Sequence, residues 1–74
     1  MLLSECKTGT KANVIGVTGD PRIKQRLMVM GITPGVDVKI VKFAPLGDPM
    51  ELDIRGYSLS IRKSEASSII VEPV

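Results

Sequence analysis

The chain has 74 residues, 43% of them hydrophobic, with 10 basic and 8 acidic side chains and a net charge of +2. That length holds one domain, residues 1–74, and so even a charge balance is no nucleic-acid signature. A single cysteine excludes an intrachain disulfide, and one thiolate without any histidine is too few donors for a structural zinc site.

Aliphatic packing must therefore hold the fold, because Phe43 and Tyr57 are the only aromatic residues. In chain order, Lys11 to Thr18 (KANVIGVT) reads as a strand between the turn pairs Gly9-Thr10 and Gly19-Asp20. Its apolar residues Ala12, Val14, Ile15 and Val17 fall on both parities, which predicts a strand covered on both faces.

Residues 21–30 read as a short helix. Asp20 suits the N-cap, Pro21 the first helical position, and Gly31 the left-handed residue that ends it. At 100° per residue, Ile23, Leu27 and Met30 share the face expected to pack on the sheet. Met28 and Val29 point away from that face, beside Pro21 and Gln25 and rimmed by Arg22. Two apolar groups on the outer side of a short helix mark a candidate docking edge.

After the turn Thr33-Pro34-Gly35, Val36, Val38 and Ile40 alternate with Asp37 and Lys39 as a half-buried strand. Val41 and Phe43 break the parity, which predicts a bulge. Pro45-Leu46-Gly47-Asp48-Pro49 is a loop, because neither proline can donate to a ladder. Met50 to Arg62 then reads as a hairpin about Arg55-Gly56, with Gly56 at positive φ. That turn pairs Ile54 with Tyr57, Leu52 with Leu59 and Met50 with Ile61 on the inward face. Asp53 meets Ser58 and Glu51 meets Ser60 on the other, and a one-residue slip would undo every pair. Residues 63–67 suggest one helical turn with Ser64 as its cap, and Ile69 to Glu72 a final strand. About five short strands and one helix in so short a chain predict a small, closed or nearly closed antiparallel β-barrel of the SH3-like kind.

Four segments carry a family resemblance. They are Leu3-Ser4-Glu5-Cys6-Lys7-Thr8-Gly9, then Arg26-Leu27-Met28-Val29-Met30-Gly31-Ile32-Thr33-Pro34-Gly35, then Ala44-Pro45-Leu46-Gly47-Asp48-Pro49, and Leu59-Ser60-Ile61-Arg62-Lys63-Ser64-Glu65-Ala66. In this order and spacing the chain resembles FeoA, a small cytosolic component of bacterial ferrous iron uptake. The resemblance implies an SH3-like barrel with an inserted helix. It also implies association with the membrane transporter FeoB, whose N-terminal part is a GTP-binding domain. A similar domain ends the iron-dependent repressors, but no helix-turn-helix precedes it here, so a free-standing FeoA-like protein is the expectation.

The residues point away from catalysis. There is no histidine to act as a base and no nucleophile-elbow motif. The neighbouring carboxylates Glu51 and Asp53 lie on the outer face of the predicted hairpin, where solvation is expected. Gly16-Val17-Thr18-Gly19-Asp20 lacks the lysine and glycine spacing of a phosphate loop. Cys6 and the methionines do not gather as metal ligands by spacing, so no intrinsic cofactor is expected; a weak divalent-cation (Fe2+) site would need completion by a partner. With two aromatics, the proline-peptide shelf of SH3 domains proper is unfurnished.

The expected function is thus a non-enzymatic accessory role, docking on the cytosolic GTPase part of a FeoB-type transporter. The alternative is a transition-metal-binding or metal-sensing module like the repressors' C-terminal domain. The candidate docking residues are Arg22, Gln25, Met28 and Val29 on the helix, with Leu46 and Asp48 in the loop. The same helix edge offers a route to self-association. No signal peptide is read in Met1-Leu2-Leu3-Ser4-Glu5 and no apolar run approaches the ~20 residues of a membrane span, so a cytoplasmic location is expected, with recruitment to the membrane through the partner.

Overall fold

In a computed structural model that describes all 74 residues, the chain begins with a 3-10 turn at Leu3–Glu5 and continues through β1 (Lys11–Val17) and α1 (Pro21–Val29). It then runs through β2 (Asp37–Phe43), β3 (Met50–Ile54), β4 (Tyr57–Ile61), a one-turn α2 (Lys63–Ala66) and β5 (Ile69–Pro73). The strands form one antiparallel five-stranded sheet in the order β4-β3-β2-β1-β5, the SH3-like arrangement with a helix between β1 and β2. The 3-10 turn is the one element not foreseen; the Glu5 carboxylate fixes it by accepting from the Leu2 N–H at 2.8 Å.

The hairpin has the expected register, residue for residue, from Met50↔Ile61 to Ile54↔Tyr57. Arg55 (φ 48°) joins Gly56 (φ 88°) in the left-handed region, so both central residues follow the type I′ geometry whose twist matches the strands. Helix α1 starts as expected: the Asp20 carboxylate accepts from the Arg22 N–H at 2.8 Å, and Pro21 opens the first turn. It ends at Gly31, with φ 97°. Leu27 is fully buried and Ile23 and Met30 pack beside it. Burying Leu27 stabilises the helix on the barrel by about 1.5–3 kcal/mol.

Two bulges bend the sheet. In β2, pairing with β3 slips between Ile40 and Lys42, so Val41 is the extra residue and the parity change has the anticipated cause. In β1, pairing with β5 slips between Val14 and Gly16. Ile15 is therefore the extra residue, and it is 52% exposed. This corrects the expectation of a strand covered on both faces: apolar residues on both parities here come from a bulge, with Ala12 and Val14 buried on one side.

Sixteen buried residues make one aliphatic core, drawn from every strand except the outer reaches of β4, from α1 and the turn after it (Ile32, Val36), from Ala66 of α2 and from the Leu3–Cys6 segment. Tyr57 corrects a second expectation. Parity places it on the inward face with Leu59 and Ile61, but β4 starts at the barrel's rim, and Tyr57 stays 45% exposed. Helix α2 corrects a third. Ser64 does not cap it. Glu65 accepts from the Arg62 N–H at 2.9 Å, and Asp48, from the β2–β3 loop, accepts from the Lys63 N–H at 2.9 Å.

Candidate functional site

The outer side of α1 follows from its period. Residues 21, 25, 28 and 29 turn away from Leu27, Lys24 borders them, and all five are exposed. Pro21, Lys24, Gln25, Met28 and Val29 line one shallow groove of about 410 Å³. Arg22, Gln25, Arg26, Val29 and Met30 line a second, of about 420 Å³. Gln25 and Val29 belong to both, so Val29, 82% exposed, stands as a ridge between them. Met28 is 46% exposed. All charged side chains on this helix, Arg22, Lys24 and Arg26, are basic.

The structure thus brings four predicted site residues together: Arg22, Gln25, Met28 and Val29. It leaves the other two apart. Leu46 sits at the tip of the β2–β3 loop, almost fully exposed, and lines neither groove. Asp48 is committed to the start of α2, where it shares a small depression with Pro49 and Arg62. Sequence reasoning omitted Pro21, Lys24, Arg26 and Met30 from the site. The signal was available, since Lys24 precedes Met28 by four residues and Arg26 precedes Met30 by four, the helical repeat.

Arg26 also ties α1 to α2. Its Nε lies 3.4 Å from Oε2 of Glu65, whose side chain is only 7% exposed while that of Arg26 is 65% exposed. Glu65 is the one buried charged residue, and both of its carboxylate oxygens have partners: Arg26 at one and the Arg62 N–H at the other. A buried carboxylate held this way is a structural joint, with no open face for chemistry.

No three His, Cys, Asp or Glu side chains converge as a metal-holding group. Cys6 is buried in the core, its Sγ 3.8 Å from the Leu2 carbonyl. Burial pushes its thiol pKa up; the N-terminal ammonium opposes this and Glu5 reinforces it. A thiol held protonated among aliphatic side chains is a packing group and a poor ligand. No helix is long and apolar enough to cross a membrane.

Residues 1–73 match the model of the FeoA domain family. The chain belongs to the FeoA family. It is 38% identical over 72 residues, 97% of its length, to the Fe(2+) transport protein A/Fe(2+) transporter FeoB fusion protein of Porphyromonas gingivalis, and it spans 8% of that protein. It is 43% identical to the FeoA-like protein of Clostridium acetobutylicum, with a TM-score of 0.94 over all of this chain and 86% of that one. It is 30% identical to Stenotrophomonas maltophilia FeoA, a prokaryotic SH3 domain protein solved with zinc, with a TM-score of 0.83 over 97% of this chain and 89% of that one. A manganese-dependent transcriptional repressor shares the fold alone, at 17% identity and a TM-score of 0.93 over all of this chain and 36% of that one.

Proposed function

We propose that this FeoA-family chain acts as one non-enzymatic module of bacterial ferrous iron uptake. In this reading it works in the cytoplasm and is recruited to the inner face of the membrane. There it docks on the cytosolic GTPase part of a FeoB-type transporter and modulates it. The observation that carries this reading is the Porphyromonas gingivalis relative, in which transport protein A and the transporter FeoB share one polypeptide. Fusion supplies a high effective concentration to a pair of units that works by contact.

The contact we propose is the outer side of α1. Met28 and Val29 give it apolar area, and Arg22 and Gln25 give it a polar rim, the arrangement of a docking patch. The metal-sensing alternative draws only on a likeness of fold to the repressors. The test is a titration of the labelled chain with the cognate transporter's cytosolic domain, in the presence of nucleotide and lipid. Amides of residues 21–31 should shift, and Met28→Asp should weaken binding about tenfold or more. Binding indifferent to both Met28→Asp and Val29→Asp moves the interface off the helix. No binding at all ends the docking reading.

A further inference from the structure

The sheet has two edges, and the fold treats them differently. Beyond β5, the first residues lie antiparallel to the strand. The Met1 ammonium donates to the Val71 carbonyl at 3.1 Å, the Val71 N–H donates to the Met1 carbonyl at 2.8 Å, and Leu2 bridges Ile70. Beyond β4 no strand follows.

The hydrogen bonds of β4 can be assigned one by one. Its two-residue turn makes Ile54 and Tyr57 a hydrogen-bonded pair, and alternation then directs the N–H and C=O groups of Tyr57, Leu59 and Ile61 to β3. Those of Ser58 and Ser60 point outward. No turn, loop or cap hydrogen bond reaches them, and both residues are exposed. Edge strands are usually guarded by a charge, a proline or a bulge. Tyr57–Ile61 contains no charged residue and no proline, and its pairing with β3 has no slip.

We propose that β4 is a docking edge for an extended segment of a partner protein, which adds to the sheet as a sixth strand through Ser58 and Ser60. Two outward donor–acceptor sets, two residues apart, match the repeat of an extended chain and no other regular backbone. Charge narrows the occupant. Arg55 stands at one end of the edge and Arg62 and Lys63 at the other. Of the acids nearby, Glu51 and Asp53 sit one strand further in, and Asp53 is already engaged by the Ser58 hydroxyl at 3.2 Å; Asp48 and Glu65 are engaged by the Lys63 and Arg62 N–H groups, each at 2.9 Å, and Glu65 is buried. The incoming segment therefore carries acidic residues at its ends and an apolar residue opposite half-buried Leu59. A second copy of this chain is the wrong occupant. Antiparallel pairing about Leu59 would match Ser58 to Ser60 but turn the Arg55 end of each copy toward the Lys63 end of the other, like charge against like.

The test uses the full chain labelled with nitrogen-15 and a pool of heptapeptides that alternate valine and threonine between terminal glutamates. Added peptide should slow hydrogen exchange at the Ser58 and Ser60 amides several-fold and leave the Leu59 amide, already inside the ladder, unchanged. The same pool with terminal lysines should bind more weakly. Ser60→Pro removes an outward N–H without removing a β3 bond and should abolish the effect. Should that variant not fold, Ser60→Glu puts on the edge a charge that also repels the acidic peptide, and is read in the same way. Three results would overturn the proposal: no protection of these two amides at millimolar peptide, binding that perturbs α1 alone, or protection that appears without peptide and grows with protein concentration. The last assigns the edge to a second copy.

Discussion

The Tyr57 hydroxyl donates a 2.7 Å hydrogen bond to the carbonyl of Met30, joining the start of β4 to the end of α1. The ring reaches this carbonyl by passing close over Gly31. A Cβ built on Gly31 would collide with the Tyr57 hydroxyl, and the residue's φ of 97° already disfavours any side chain. The tyrosine thus satisfies a carbonyl at the helix end, one of the groups that helices leave without an internal partner.

Gly31→Ala should therefore destabilise the fold by about 1–3 kcal/mol, from the left-handed backbone and the displaced ring together. Tyr57→Phe should cost about 0.5–1.5 kcal/mol, the net worth of one such hydrogen bond. Urea unfolding of the two single variants and the double variant checks the coupling. The Tyr57→Phe cost should shrink in the Gly31→Ala background, where the bond is already broken.

Glu65 ranks next. Glu65→Ala removes the acceptor for the Arg62 N–H and the partner of Arg26 from a buried site, and should cost about 2–3 kcal/mol. Glu65→Gln keeps an acceptor oxygen and should cost less. Arg26→Ala should cost under about 1 kcal/mol, because the guanidinium is largely exposed and solvent screens it. Chemical denaturation of the three variants orders them; an Arg26→Ala cost equal to that of Glu65→Ala would make the ion pair, not the cap, the source of stability.

Leu52 and Leu46 separate core from loop tip. Leu52 is fully buried in mid-strand, and Leu52→Ala should cost about 2–5 kcal/mol. Leu46 is 96% exposed, and Leu46→Ala should stay within about 0.5 kcal/mol of the parent. Thermal unfolding distinguishes them readily.

Cys6 supplies a pH dependence. Burial raises its thiol pKa in the folded chain, so the folded state keeps a proton that the unfolded state, with a thiol pKa near about 8.5, has begun to lose. This stabilisation is complete below the unfolded pKa and is lost as pH rises through the folded one. Denaturation midpoints should fall above about pH 8.5, and Cys6→Ala should flatten that fall relative to the parent. A thiol reagent should meanwhile react slowly at neutral pH until denaturant exposes the side chain.

What the residues disclosed in advance was local. The Met50–Ile61 register could be read because a two-residue turn fixes every pair beyond it. The helix could be read because Asp20, Pro21 and Gly31 each act within a few residues of where they stand. The Val41 bulge showed as a break in a clean alternation, whereas the Ile15 bulge did not, because apolar residues on both parities mimic a strand buried twice. Distance in sequence hid the rest. Asp48 caps a helix that starts fifteen residues later, and Glu65 meets Arg26 from the other end of the chain. For Tyr57, parity told which face it occupies but not that the barrel ends there. At the candidate site, helical period found the Met28–Val29 edge, while the separation of the Leu46–Asp48 loop from it is a matter of tertiary placement.

The protein has one tyrosine and no tryptophan. Its near-ultraviolet absorption and emission therefore come almost entirely from a single ring, and that ring is hydrogen-bonded at the seam between α1 and the hairpin. A phenol bound to a carbonyl and a phenol in water differ in both spectrum and yield. The fold thus carries a built-in optical gauge of whether helix and barrel are joined, and binding at the helix or at the β4 edge can be followed without attaching a dye.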